Sequence, residues 1–389
     1  MSEQFIMGHA PQRDSVSLPG VGDADGRTPH AATGEMLVQM RKDTPGVSAV
    51  LAAWYRIRGK LAAERISGRV LLACSGGADS SALVVAMSGI TNAHELLVVA
   101  HVMHDLRPAA QALADAARVA ELARRVIPTG LKCVQASVQV AAAAGNVEAN
   151  ARKARYAALG AMAEEYGCDV VMTGHTQSDQ AETVLMRLIR GAGPRGLAAM
   201  PECRPLAAGK ALWLVRPMLG VAAAEAKAIC QRATWQWCED STNSDTAMLR
   251  AAMRHNVLPL LESISPGATE RIAGAASVQR AAAEAIGDIA RVWCAKGPPW
   301  KRAELATLSP AVIAEMLMRS ASGTGADAVR RVSVASAVRA IVEGVSSRKA
   351  FVVGGVVVRV SGGVVTVERR GPGAFSSGGA GDGGSAAED

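Results

Sequence analysis

The sequence predicts an α/β fold: a doubly wound parallel sheet followed by a helical domain and a small α/β hairpin region. Three observations carry that expectation. From about residue 47 to 235, apolar strand-like runs alternate with alanine-rich amphipathic stretches, the pattern of a parallel sheet wound on both faces. From about 240 to 320 the strand signal gives way to helical periodicity. After residue 350, short β-branched runs return, broken by Gly354-Gly355 and Ser361-Gly362-Gly363, as in hairpins.

Residues 1–46 carry Pro, Gly, Asp and His without a sustained apolar period, so a flexible N-terminal extension is expected. The first domain should span 47–238, with strands at 70–74, 96–102, 132–138 and 169–173. Ligands on such sheets sit beyond the carboxyl ends of the strands. Ser75–Ser80, His101–Arg107 and Gly174–Glu182 would all emerge there. A helical domain is expected over 239–325, with Glu270–Ala290 and Ala311–Ser320 as its plainest helices. A small α/β cap over 326–370 would combine a helix at Val334–Val342 with strands at Ala350–Val353, Val356–Val360 and Val364–Val367. The tail, 371–389, is rich in glycine and serine and should be disordered.

At 389 residues the chain is too long for one ordinary core. Its net charge of +7 suits a polyanionic partner without requiring one. No apolar run approaches the ~20 residues of a membrane span, and the N-terminus lacks the basic-then-apolar order of a signal peptide. A cytoplasmic protein without membrane contact is expected. Seven cysteines, with no CxxC pair, suit neither a disulfide framework nor a zinc or iron–sulfur site.

Chemistry concentrates first at Ser75-Gly76-Gly77-Ala78-Asp79-Ser80, between the apolar runs 70–74 and 82–87. A glycine pair between strand and helix lets backbone N–H groups close on an anion, and the hydroxyls of Ser75 and Ser80 add donors at the positive end of the helix. Asp79 fits such a cradle if it holds a divalent cation against phosphates or orients the loop. The loop resembles the SGGxDS signature of the N-type ATP pyrophosphatases, which split ATP to AMP and pyrophosphate. No GxxxxGK[ST] occurs in the chain. His101, His104 and Arg107 lie close together in sequence at a strand tip, and Glu148, Arg152 and Arg155 share a helical face. Asp179 and Glu182, three apart at a helix start, project to one side and could grip a cation; capping is their plainer use. Residues 185–260 hold ten Arg or Lys against five acids, so Arg187, Arg190, Arg195, Arg250 and Arg254 are candidate RNA contacts.

Taken together, CSGGADSSAL, HVMHDLR, EANARKARY, TGHTQSDQAETVLMRLIRGAGPRGL, RPML (216–219), EDSTN (239–243) and RAAMRHNVLPLL (250–261) resemble, in order, the motifs of the tRNA(Ile)-lysidine synthetase family. The resemblance is strong over about 68–262. It implies the adenine nucleotide α-hydrolase-like fold of the PP-loop superfamily and a ligase reaction. ATP would adenylate the C2 oxygen of the wobble cytidine in the CAU anticodon of tRNA(Ile). L-lysine would then attack C2 through its ε-amine, releasing AMP, so that the tRNA reads AUA. It further implies ATP at Ser75–Ser80, His101, Gly174 and His175; catalytic roles for Asp79, His104, Arg107, Asp179 and Glu182; and Mg²⁺ at Asp79 and Asp179. The helical domain would help to bind tRNA, and the oligomeric state is left open, a dimer included. Thr176 and Ser178 stand where the family often has His and Asp, and Ala251-Ala252 replace a polar pair. The rival readings are a tRNA thiolase on the same fold and a tRNA-binding homologue without catalysis.

Overall fold

The computed structural model describes residues 44–369 apart from 65, 67, 106–107, 128, 141–146, 208, 210, 239–248 and 322–330. Arg107, the EDSTN segment and the expected flexible termini up to 43 and from 371 lie outside the described residues. The chain divides into two compact units, one ending at Val278 and the other beginning at Gln279. The helical region expected over 239–325 is shared between them.

In the first unit, strands β1 (Val70–Ala73), β2 (Leu97–His104), β3 (Lys132–Val138), β4 (Val170–Thr173), β5 (Cys203–Pro205) and β6 (Trp213–Val215) form one sheet in the order β3-β2-β1-β4-β6-β5. All neighbouring pairs are parallel except β5 with β6. The two short strands β5 and β6 escaped the sequence reading. At three residues each, they offer too little alternation to register.

Alternate strand residues serve opposite faces, and the sheet buries both. Val70 and Leu72, Leu97 and Val99, and Val170 and Met172 join a core with helices α1 (Pro45–Lys60), α2 (Ala78–Met87) and α3 (Ala109–Arg125). Leu71, Val98, Ala100, Val171 and Leu214 face the other way, against Leu159, Met162 and Ala163 of α4 (Val147–Glu165). This is why these strands read as unbroken apolar runs. Truncating a central residue such as Leu72 to alanine should cost about 2–5 kcal/mol.

The strand order reverses direction at β1 and β4, so the crevice beyond their carboxyl ends is the switch point at which α/β sheets take ligands. Helix α2 starts at the loop after β1, and α5 (Gln177–Ile189) starts after β4. Helix α6 (Ala223–Arg232) packs beside α2. Further on, α7 (Leu249–Ala252) runs through a π turn (Met253–Val257) into α8 (Leu258–Ile264).

The second unit contains a four-stranded antiparallel sheet built from β7 (Trp300–Lys301), β8 (Lys349–Val353), β9 (Val356–Val360) and β10 (Val364–Arg369), in the order β7-β10-β9-β8. Val353, Val356, Val358, Val360 and Val365 pack with Met316 and Leu317 of α9 (Pro310–Ala321) and Ala337 and Ile341 of α10 (Arg331–Glu343). The β-branched runs therefore form the predicted hairpins.

Candidate active site

The loop after β1 is held open by its own hydroxyls. Ser80 Oγ receives the Ser75 N–H at 3.1 Å, donates to Gly77 O at 3.1 Å and lies 3.1 Å from Ser75 Oγ. Gly76 sits at φ +90°, a left-handed conformation that favours glycine, and its carbonyl accepts the Cys238 N–H at 2.9 Å. Helix α2 then begins at Ala78 with its N–H groups facing the crevice, the arrangement that receives an anion. His101 is buried and its Nδ1 lies 2.8 Å from Cys74 O, so it braces the strand that carries the loop. His104 ends β2 on the same side.

Gly174 brings the second segment against the first. A Cβ there would stand 2.7 Å from Asp79 O and 3.0 Å from Ser80 Cα, so only glycine lets the β4–α5 turn approach the first turn of α2. His175 Nδ1 lies 2.8 Å from Thr173 Oγ1. Burial, reinforced by Arg216, Arg152 and Arg250 against the pull of Asp179, takes the imidazole down to about 3. His175 is therefore neutral at physiological pH.

Asp179 and Glu182 are both buried, Glu182 completely. The Thr176 N–H donates to Asp179 Oδ2 at 2.9 Å, so the plain capping role is present. A larger role accompanies it. Arg250 donates from Nε to Glu182 Oε2 and from Nη2 to Asp179 Oδ1, each at 2.9 Å. Arg254 donates from Nε to Glu182 Oε1 at 2.6 Å and from Nη2 to Asp179 Oδ1 at 2.9 Å. Two carboxylates and two guanidiniums thus form a charge-balanced cluster. Although burial opposes ionisation of Asp179, the Arg250 and Arg254 guanidiniums and the Thr176 N–H outweigh it and hold the carboxyl below its ordinary value.

Asp79 is the contrasting carboxylate. Among the described residues no ion pair holds it. Burial, with Asp179 and Glu182 nearby, pushes it up to about 6 against the pull of Arg254 and Lys227. A half-buried carboxylate without a bonded counter-charge among the described residues, beside an anion cradle, could serve as a ligand for a magnesium ion. Asp179 fits that role less well, since Oδ1 receives two arginine N–H groups and Oδ2 the Thr176 N–H.

The candidate RNA contacts divide. Arg190 and Arg195 are exposed. Arg187 donates to Gly196 O at 2.7 Å and Ala199 O at 3.1 Å, fastening the loop after α5. Arg250 and Arg254 turn inward to the acids. Sequence reasoning counted Lys227 and Arg216 only among the basic residues of 185–260, with Arg216 also in RPML, and assigned neither a place in the site.

A family model described as a PP-loop domain matches residues 54–261. A tRNA(Ile)-lysidine synthase from Aromatoleum aromaticum is 37% identical over 275 residues, 70% of this chain and 62% of that one. One from Salinispora arenicola is 38% identical over 254 residues, covering 64% and 72%. The chain belongs to the tRNA(Ile)-lysidine synthase family. A further member, from Streptomyces coelicolor, is 38% identical over 266 residues, 66% of this chain and 72% of that one. The match spans less than two thirds of the Aromatoleum relative's length. The PP-loop match takes in β1 to β6 and runs through α7 and the π turn into α8, so the segment bearing Arg250 and Arg254 is part of it.

Proposed function

We propose that this chain ligates L-lysine to C2 of the wobble cytidine in the CAU-anticodon tRNA(Ile), using ATP and releasing AMP and pyrophosphate. The observation that carries the reading is a single crevice with an anion cradle, Ser75–Ser80, on one wall and a buried carboxylate pair, Asp179 and Glu182, on the other. Family membership supplies the reaction class.

The chemistry needs both walls. A pyrimidine C2 carbonyl is a poor electrophile, and joining its oxygen to the α-phosphorus of ATP turns that oxygen into a leaving group as pyrophosphate departs. The cradle N–H groups would receive the phosphates. Asp79 would hold Mg²⁺, which when bound spreads the charge on the departing pyrophosphate. His101 positions the strand behind the loop through Cys74 O, while His104 stands at the crevice end of β2. Lysine would enter as an ammonium ion opposite Asp179 and Glu182. Because Arg250 and Arg254 already fill those oxygens, the ammonium must take over donor positions from an arginine. Deprotonated, its nitrogen attacks C2 and AMP leaves with the former C2 oxygen. His175, neutral and hydrogen-bonded to Thr173, is too weak a base at about 3 to take the ammonium proton.

The decisive experiment supplies radiolabelled ATP, transcribed CAU-anticodon tRNA and lysine. AMP release that depends on both tRNA and lysine, with label from lysine entering the tRNA, is the expected result. ADP and phosphate as products, or AMP release indifferent to lysine, would refute it.

A further inference from the structure

Arg152, Arg204 and Arg216 gather around one tyrosine, and none of them forms an ion pair with a carboxylate among the described residues. The guanidinium carbons of Arg152 and Arg204 lie 5.1 Å and 5.7 Å from the centre of the Tyr156 ring. Arg216, only 2% exposed, lies near enough to Tyr156 to interact with it electrostatically and donates from Nη1 to Pro201 O at 2.9 Å. Its Nε is buried without a hydrogen-bond partner. Buried arginines ordinarily have a carboxylate, because an uncompensated charge away from water is costly and like charges nearby add to the cost. Tyrosine π-density and neutral oxygens offset only part of this.

The fold explains why the three converge. Met172 of β4 pairs with Val215 of β6, so Arg216 emerges beside Thr173 and Gly174 at the crevice end of the sheet. Arg204 lies on β5, paired with β6, and Arg152 and Tyr156 lie on α4. Arg152 and Arg216 are close enough to His175 to help keep it neutral. The cluster therefore borders the crevice, but by way of β4, β6 and β5 rather than β1. Two strand spacings separate β1 from β6, roughly 10 Å.

We propose that Arg152, Arg204 and Arg216 clasp one phosphate group, a backbone phosphodiester of the tRNA next to the reacting base, at a site separate from the nucleotide cradle. Arginine suits that task because its planar fork of donors matches phosphate oxygens. A phosphodiester would supply negative charge beside the three guanidiniums and accept from the buried Arg216 Nε. The distance from the Ser75–Ser80 loop favours RNA over the phosphates of ATP as the source. This inference rests on the proposed tRNA substrate.

The test uses Arg152→Gln, Arg204→Gln and the double variant, leaving buried Arg216 in place so that the fold survives, which thermal melting verifies. Binding of tRNA is measured through a salt titration, and binding of ATP and of pyrophosphate separately. Each single variant should lose at least about threefold in tRNA affinity and about 0.7 in the slope of log K against log salt, the share of one single-strand phosphate. The double variant should lose no more slope than one phosphate accounts for, and ATP and pyrophosphate affinities should stay at wild-type values. Unchanged tRNA affinity and slope would overturn the proposal. So would a loss confined to ATP or pyrophosphate, which would assign the cluster to the nucleotide, or slope losses that add in the double variant, which would mean separate phosphates. If the wild-type chain itself failed to bind tRNA, the parent reading would fall, and that outcome is visible before any variant is compared.

Discussion

Gly174→Ala adds one methyl group at the point where the two halves of the crevice touch. The new Cβ would lie 2.7 Å from Asp79 O, 2.9 Å from Asp79 C and 3.0 Å from Ser80 Cα. These are backbone atoms in the first turn of α2, so no flexible side-chain end can swing aside. Ordinary contact begins at 3.4 Å, and the turn or the helix must yield by about 0.7 Å. Overpacking of that kind costs roughly 1–3 kcal/mol. In a unit of this size each kcal/mol lowers the melting temperature by about 2–4 °C, so a fall of roughly 2–12 °C is expected. Activity should suffer more, because misplacing reacting groups by about 1 Å can cost on the order of 100-fold.

Gly77→Ala provides the contrast. Its Cβ would meet only Ser75 Oγ, at 3.8 Å, and its φ of −72° suits any residue. Losing a glycine N-cap should cost at most about 1 kcal/mol. The methyl would nevertheless stand in the loop where a phosphate approaches, so nucleotide binding should weaken in a protein that is otherwise well folded. Scanning calorimetry and tRNA-dependent pyrophosphate release, measured on both variants, separate the two effects. A Gly174→Ala protein that melts with the wild type and turns over normally would refute the reasoning, as would Gly77→Ala being the less stable of the pair.

Glu182→Gln removes one charge from a balanced buried cluster and should lower stability by about 3 kcal/mol, with Arg254→Gln restoring part of it in the double variant; additive losses in that double-mutant cycle would show that the pair does not couple. Arg250→Ala and Arg254→Ala should each lower the melting temperature and impair lysine incorporation, whereas a fully stable protein with only weakened tRNA binding would return both arginines to an RNA-facing role. For Asp79 the folded-state value, about 6, lies above the ordinary 3.8, so the native state favours the protonated form. Its contribution to stability is fully present below about pH 4 and is lost as pH rises through about 6. Asp79→Asn should therefore be more stable than wild type at pH 8, by up to about 3 kcal/mol, with the gain vanishing near pH 4. Denaturant unfolding across that pH range checks the sign, and a variant less stable at pH 8 than wild type would contradict it.

The parts of the fold that the sequence made legible are those whose signal is local. Strands β1, β2 and β4 are buried on both faces and so appear as apolar runs. The Ser75–Ser80 loop declares itself because a glycine pair, two serines and an aspartate stand within six residues. Asp179 and Glu182 share a helix face by spacing alone, and the structure keeps them together. Their partners were illegible for a physical reason. Arg250 and Arg254 lie 68 to 75 residues from the acids that they bind, and a count of charges along 185–260 cannot tell a guanidinium that faces solvent from one that faces a buried carboxylate. Arg216 illustrates the same limit from the other side. It contributed to the apparent basic surface, yet it is almost fully buried and has no acid partner among the described residues, which only the packing of β4, β5, β6 and α4 reveals. The same residue type therefore occurs in two opposite settings in one crevice. Arg250 and Arg254 neutralise carboxylates where the proposed lysine ammonium would enter; Arg216, with Arg152 and Arg204, has no carboxylate partner among the described residues, where the proposed phosphodiester would enter. A substrate that brings both an ammonium group and a phosphodiester is complementary to that division, and neither charge on its own would account for it.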